Sequence, residues 1–82
     1  MPRFYFDLHN DVDVLDPEGK ELPSLEEAKS RAVIEARAML EDSAGKGRID
    51  LNHFIDVRDE SGTIVHRLHF GDVVTIVPRT VD

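Results

Sequence analysis

Ser24-Leu25-Glu26-Glu27-Ala28-Lys29-Ser30-Arg31-Ala32-Val33-Ile34-Glu35-Ala36-Arg37-Ala38-Met39-Leu40 has the spacing of one amphipathic helix, and the rest of the chain is read outward from it. Leu25, Ala28, Ala32, Ala36 and Met39 recur at intervals of three and four, and Val33 and Leu40 widen the stripe. Ser24 is a good N-cap, and Glu27, three residues on, completes a capping box. Glu26 and Glu27 sit where the helix dipole favours negative charge. Glu27 with Arg31, Arg31 with Glu35, and Arg37 with Glu41 stand one turn apart on the wet side. Gly45 predicts the stop, so the helix spans about 24–44. An alanine-rich stripe lets it lie close against a sheet.

Upstream, Phe4, Phe6 and Leu8 alternate with Arg3, Tyr5, Asp7 and His9, the period of a strand with one buried face. Val12 to Leu15 returns as a second short strand, and Asp16-Pro17-Glu18-Gly19 is a turn sequence. Downstream, residues 44–52 read as a loop, His53–Asp59 as a strand, Glu60-Ser61-Gly62 as a hairpin turn, and Thr63–Phe70 as a strand. Ile55 and Val57 share one face of the first of these strands, and Ile64, Leu68 and Phe70 one face of the second. After Phe70 the signals conflict. Phe70, Val73, Val74 and Val77 are spaced as on a helix, whereas the β-branched run Val73 to Val77 favours a strand, and Pro78 ends either. The order β-β-α-β-β predicts a single α+β domain over 1–82: a two-layer sandwich with an antiparallel sheet, the helix on one face and a short C-terminal element of open type.

The chain has 82 residues and no cysteine, so disulfides and thiolate metal sites are excluded. No apolar run approaches the roughly 20 residues that span a bilayer. The start lacks the pattern of a signal peptide, and the reading is a soluble cytoplasmic protein. Net charge is −7. Residues 1–28 hold eight acids against Arg3 and Lys20, which places −6 of it in the first third. Such a domain repels nucleic acid and anionic membranes, and suits a protein partner with a basic surface.

Met1-Pro2-Arg3-Phe4-Tyr5-Phe6-Asp7-Leu8, then Glu18-Gly19-Lys20-Glu21-Leu22-Pro23-Ser24-Leu25-Glu26-Glu27-Ala28, then Val57-Arg58-Asp59-Glu60-Ser61-Gly62 occur in order along the chain. Together they resemble a family of short uncharacterised proteins common in rhizobia and related alphaproteobacteria. The resemblance spans nearly the whole chain. It implies a bacterial cytoplasmic origin and brings no activity or site residues with it.

Several groups invite a chemical reading. Tyr5, Asp7 and His9 project from one face of the first strand, and Arg58 and Arg67 join them on the sheet face away from the helix. The alternatives are an acid–base or ligand-binding face, a stacking surface for RNA, and an ordinary solvated face. Arg31, Ile34 and Ala38 form a small patch on the polar side of the helix. Asp11, Asp13, Asp16 and Glu18 fail the calcium-loop pattern at both ends and read as solvated turn carboxylates. His66 and His69 point to opposite faces of a strand and do not converge with Asp72 on a metal. Gly45-Lys46-Gly47-Arg48 lacks the glycine and the Ser or Thr of a phosphate loop. No metal or other cofactor is expected. Neither strand 3–9 nor strand 63–70 carries an internal proline, so edge pairing into a homodimer is open. The leading expectation is a non-enzymatic protein-interaction or regulatory module. An antitoxin-like regulatory domain and a small-ligand or enzymatic site in a homodimer cleft are the alternatives.

Overall fold

A computed structural model describes residues 1–80 of the chain. One helix, α1 (Leu25–Gly45), packs on a five-stranded antiparallel sheet of β1 (Arg3–His9), β2 (Asp13–Val14), β3 (Lys20–Glu21), β4 (Phe54–Arg58) and β5 (Ile64–His69). A single 3₁₀ turn, Phe70–Asp72, follows β5. The α+β class and the single helix over one sheet face agree with the sequence reading. No helix among the described residues is long and apolar enough to cross a membrane.

The helix ends are built by local chemistry. Ser24 Oγ accepts the Glu27 N–H at 3.3 Å, satisfying one of the orphan donors of the first turn. At the far end the stop is Gly47, not Gly45. Gly45 lies in the last turn, Lys46 caps it, and Gly47 takes the left-handed conformation at φ +85°. The N–H groups of Gly47 and Arg48 then return to the carbonyls of Ala44 (3.0 Å) and Ser43 (3.1 Å), closing a Schellman motif. On the wet side Arg31 stands 3.9 Å from Glu35, as expected. Arg37 instead donates from Nε to the Val73 carbonyl at 3.0 Å, tying the C-terminal segment to the helix.

Ala28, Ala32 and Ala36 are fully buried, with Leu40, against Phe4, Ile55, Val57 and Leu68 of the sheet. The helix packs chiefly over β4 and β5. Phe6 and Leu8 of β1 and Met39 of α1 are consequently only half-buried.

The strand order is β2-β1-β4-β5, with β3 also paired to β1. β1 is therefore an interior strand, and of the two strands read as edges only the one over 63–70 (observed as β5) is one. β2 meets the C-terminal end of β1 at Leu8↔Val14, and β3 meets the N-terminal end at Phe4↔Lys20. Between them the Asp16 carboxylate takes the place of a strand. Its Oδ2 accepts the Phe6 N–H at 3.2 Å, and its Oδ1 accepts the N–H groups of Glu18 (3.1 Å) and Gly19 (3.0 Å). Asp16 is thus half-buried and fully engaged, unlike the solvated turn carboxylate expected.

Two further expectations are corrected. A bulge at Val57/Arg58 pairs Arg58 with Ile64, and Ile64 points to solvent instead of into the core. The C-terminal element is neither strand nor long helix. Phe70 and Val73 are buried one 3₁₀ turn apart, and the N–H groups of Phe70 and Gly71 go to the carbonyls of His53 (2.8 Å) and Leu51 (3.2 Å). These bonds use up the backbone groups that a strand would offer to a neighbour, and residues 73–80 have no regular structure.

Gly19 has φ +69°, and a Cβ there would lie 2.8 Å from both the Phe4 carbonyl oxygen and the Tyr5 ring. Gly62 has φ +87° but nothing within 4 Å of its Cβ position. Gly19→Ala is expected to lower the urea unfolding free energy by about 1–3 kcal/mol, and Gly62→Ala by less, since only its backbone is strained.

Candidate functional site

The face of the sheet turned away from α1 gathers all five residues expected there: Tyr5, Asp7, His9, Arg58 and Arg67. It also gathers Phe54 and Asp56, which the sequence reading did not single out. Strand alternation puts Tyr5, Asp7 and His9 of β1 on this face, and the register sets Asp7 directly opposite Asp56 and Tyr5 opposite Arg58. Arg67 of β5 lies opposite Asp56.

This is not the ordinary solvated face expected, because Asp7 and Asp56 are each only 3% exposed. Each carboxylate is held by two donors of one guanidinium. Arg58 reaches diagonally to Asp7, with Nε on Oδ2 and Nη2 3.1 Å from Oδ1. Arg67 donates from Nε at 2.6 Å and Nη2 at 2.9 Å to Asp56. Such forked pairs are the strong form of the carboxylate ion pair. The guanidinium groups in turn lie over aromatic rings, Arg58 5.0 Å from the Tyr5 centroid and Arg67 4.4 Å from that of Phe54. His9 stacks on Phe54 at 4.7 Å, with Nδ1 2.9 Å from Asp13 Oδ1 and Nε2 3.4 Å from Asp56 Oδ2. Asp16 donates its N–H to Asp7 Oδ1 at 2.9 Å, which connects this face to the turn that completes the sheet.

Burial by itself would raise the Asp7 carboxyl, but the Arg58 hydrogen bond, the Asp16 N–H and the charges of Arg58 and His9 bring it below its ordinary value. Burial likewise opposes ionisation of Asp16, and the N–H groups of Gly19, Phe6 and Glu18 outweigh it. The hydrogen bonds to Asp7 and Asp56 raise Arg58 and Arg67 in turn. The face is therefore a closed set of ion pairs, with both oxygens of each carboxylate occupied by an arginine.

A concave feature lies on the other side of the sheet, where α1 leaves β1 half-covered. A groove of about 760 Å³ runs between the helix and the β1–β2 end of the sheet. Leu8, Ala38, Met39 and Phe70 line its apolar part, and Asp11, Glu35, Asp42 and Asp50 contribute acids to its walls. A smaller hollow of about 390 Å³ continues it under Val14 and Leu15, sharing Leu8, Glu35 and Met39. The helix patch read from sequence is thus divided: Ala38 faces the groove, while Ile34 is 60% exposed on the outer surface and Arg31 pairs with Glu35.

At the mouth of this groove Asp11, Asp50 and His53 bring one donor atom each within 4.8 Å of one another. The sequence reading placed Asp11 in a different acidic cluster, Asp50 in a loop and His53 at the start of a strand. Only the Asp-x-x-His spacing of Asp50 and His53 was there to be seen. Residues far apart in the chain have no shared sequence period, so Asp11 could join them only through the fold. His66 and His69 stay apart, His66 half-buried and His69 exposed.

Both Asp7 and Asp16 titrate lower in the folded chain than at their ordinary value of 3.8. Their contribution to stability is then complete at neutral pH and is lost as pH falls through the folded values. The thermal midpoint is expected to hold from neutral pH down to about 5 and to fall below about 4. Asp7→Asn is expected to lower the midpoint at neutral pH and to flatten that acid limb, both read from thermal scans across the pH series.

No curated protein matches the chain, and no solved structure matches it. One family match covers the strands, the helix and both faces described above: the sequence model of a domain of unknown function, DUF6894, aligns with residues 3–71. That range holds β1 through the start of the 3₁₀ turn, and the chain belongs to the DUF6894 family.

Proposed function

We propose that the chain is a non-enzymatic protein-interaction module whose groove between α1 and β1 receives a basic, amphipathic segment of a partner protein. The observation that carries this reading is the groove itself, with an apolar lining of Leu8, Ala38, Met39 and Phe70 between acidic walls. A segment with an apolar stripe and flanking lysines or arginines matches both features. Lys46 and Arg48 stand on the same rim, but Lys46 is paired with Asp42 at 3.1 Å and Arg48 lies 3.6 Å from Asp50. Four acids against two bases leave the rim negative, in keeping with the acidic first third of the chain. The opposite sheet face supports the non-enzymatic reading, since its two buried carboxylates already have both oxygens bonded to arginine.

Affinity purification of the tagged full chain from its native cell at low salt tests the proposal. One stoichiometric partner with a basic surface is expected, released by high salt because the attraction is screened. Ala38→Glu, at an exposed helix position facing the groove, is expected to lose that partner while melting at the wild-type temperature. A partner indifferent to this change, or none at all, overturns the reading.

A second reading rests on β5, which pairs only with β4 and leaves its other edge open over six residues. Antiparallel pairing of two such edges joins two copies into one continuous sheet. Light scattering at high concentration is then expected to give twice the chain mass, and a monomer there rules it out.

A further inference from the structure

We infer that Asp11, Asp50 and His53 form a binding site for a divalent metal ion of the zinc class. His53 Nε2 lies 3.5 Å from Asp11 Oδ1 and 3.3 Å from Asp50 Oδ2. Both separations exceed the roughly 2.7–3.2 Å of an ordinary N–H···O hydrogen bond. They match instead the distance of about 3.4 Å between neighbouring donors on a tetrahedral ion with bonds of about 2.0–2.1 Å.

The donors are oriented before any ion arrives. Asp50 Oδ1 accepts the Asn52 N–H at 2.9 Å, which leaves Oδ2 turned toward His53. The His53 ring meets Phe70 edge-on at 5.8 Å, and the His53 carbonyl accepts the Phe70 N–H, so the imidazole is seated against the core. Asp11 comes from the β1–β2 turn and is open to solvent, which gives an ion its entry path.

One imidazole nitrogen and two carboxylate oxygens suit zinc, with water filling the remaining position. Calcium demands six to eight oxygens and magnesium a near-octahedral oxygen shell, which this set does not supply. Arg48 stands 3.6 Å from Asp50 and 3.9 Å from Asp11 and offsets one of the two negative charges without an ion. Its side chain is 67% exposed, so it can swing into water when a cation takes over that charge. A bound ion would pin the β1–β2 turn to the loop before β4 at one end of the groove. The site does not depend on a protein partner, because the ion alone is the ligand.

Calorimetric titration of the chelator-stripped full chain with zinc chloride, alongside magnesium and calcium chloride, tests the site. One zinc ion per chain is expected, with no matching isotherm for the other two. Asp11→Asn and His53→Gln are expected to weaken zinc by roughly tenfold or more, since even an outer partner of a metal ligand is commonly worth that much. Arg48→Ala is expected to tighten it by removing the competing cation. Asp11 and Arg48 are both exposed, so their variants remain informative if His53→Gln does not fold. Absence of stoichiometric zinc binding to the wild type overturns the proposal, as does zinc binding unchanged by Asp11→Asn and Arg48→Ala.

Discussion

Asp7 and Asp56 face each other across the β1–β4 ladder, two carboxylates in direct register on one buried patch of sheet. Like charges in that position repel, and burial removes the water that would screen them. The arrangement is tolerable only because each carboxylate has its own forked arginine. Much of the molecule follows from that constraint. Arg58 must lie two residues beyond Asp56 to reach Asp7 on the diagonal, and Arg67 must sit opposite Asp56 on β5. A one-residue slip of β4 would turn Asp56 and Arg58 into the alanine-lined core and Ile55 and Val57 into water. The ion pairs therefore fix the register more than they add stability, since buried pairs of this kind repay much of their own desolvation.

The same patch links the sheet to its connecting turn. Asp16 donates to Asp7, accepts from Phe6 in the gap between β2 and β3, and holds the Glu18-Gly19 corner. An acidic N-terminal segment that reads as surface charge is in part a structural brace, with Asp16 doing for β1 what a third strand residue would do. The remaining acids of the first 28 residues stay exposed, and among them Asp11 adds its charge to the groove.

The groove has a simple origin. One helix cannot cover a sheet of this width, and α1 is drawn over β4 and β5 because its alanines allow close approach to Ile55 and Val57. The β1–β2 side is left with half-buried Phe6 and Leu8 and an apolar helix edge at Met39. The groove is thus a by-product of the alanine stripe, with Asp11, Glu35, Asp42 and Asp50 in its walls.

The helix, its Ser24 cap, the alternation of β1 and the turns at Pro17-Glu18-Gly19 and Ser61-Gly62 were legible in the sequence, because each is set by residues within a few positions of one another. So was the gathering of Tyr5, Asp7, His9, Arg58 and Arg67, which needs only strand parity and adjacent strands. Four matters were decided by tertiary structure. Whether β1 was an edge depended on which strands reached it. Whether Asp7 was wet or buried depended on Arg58 crossing the ladder. The C-terminal segment was settled by the carbonyls of Leu51 and His53, which took its N–H groups before any strand could. Asp11 met Asp50 and His53 only when the β1–β2 turn folded against the loop before β4. Local propensity is written in neighbours along the chain, whereas burial, pairing and ligand convergence belong to neighbours in space.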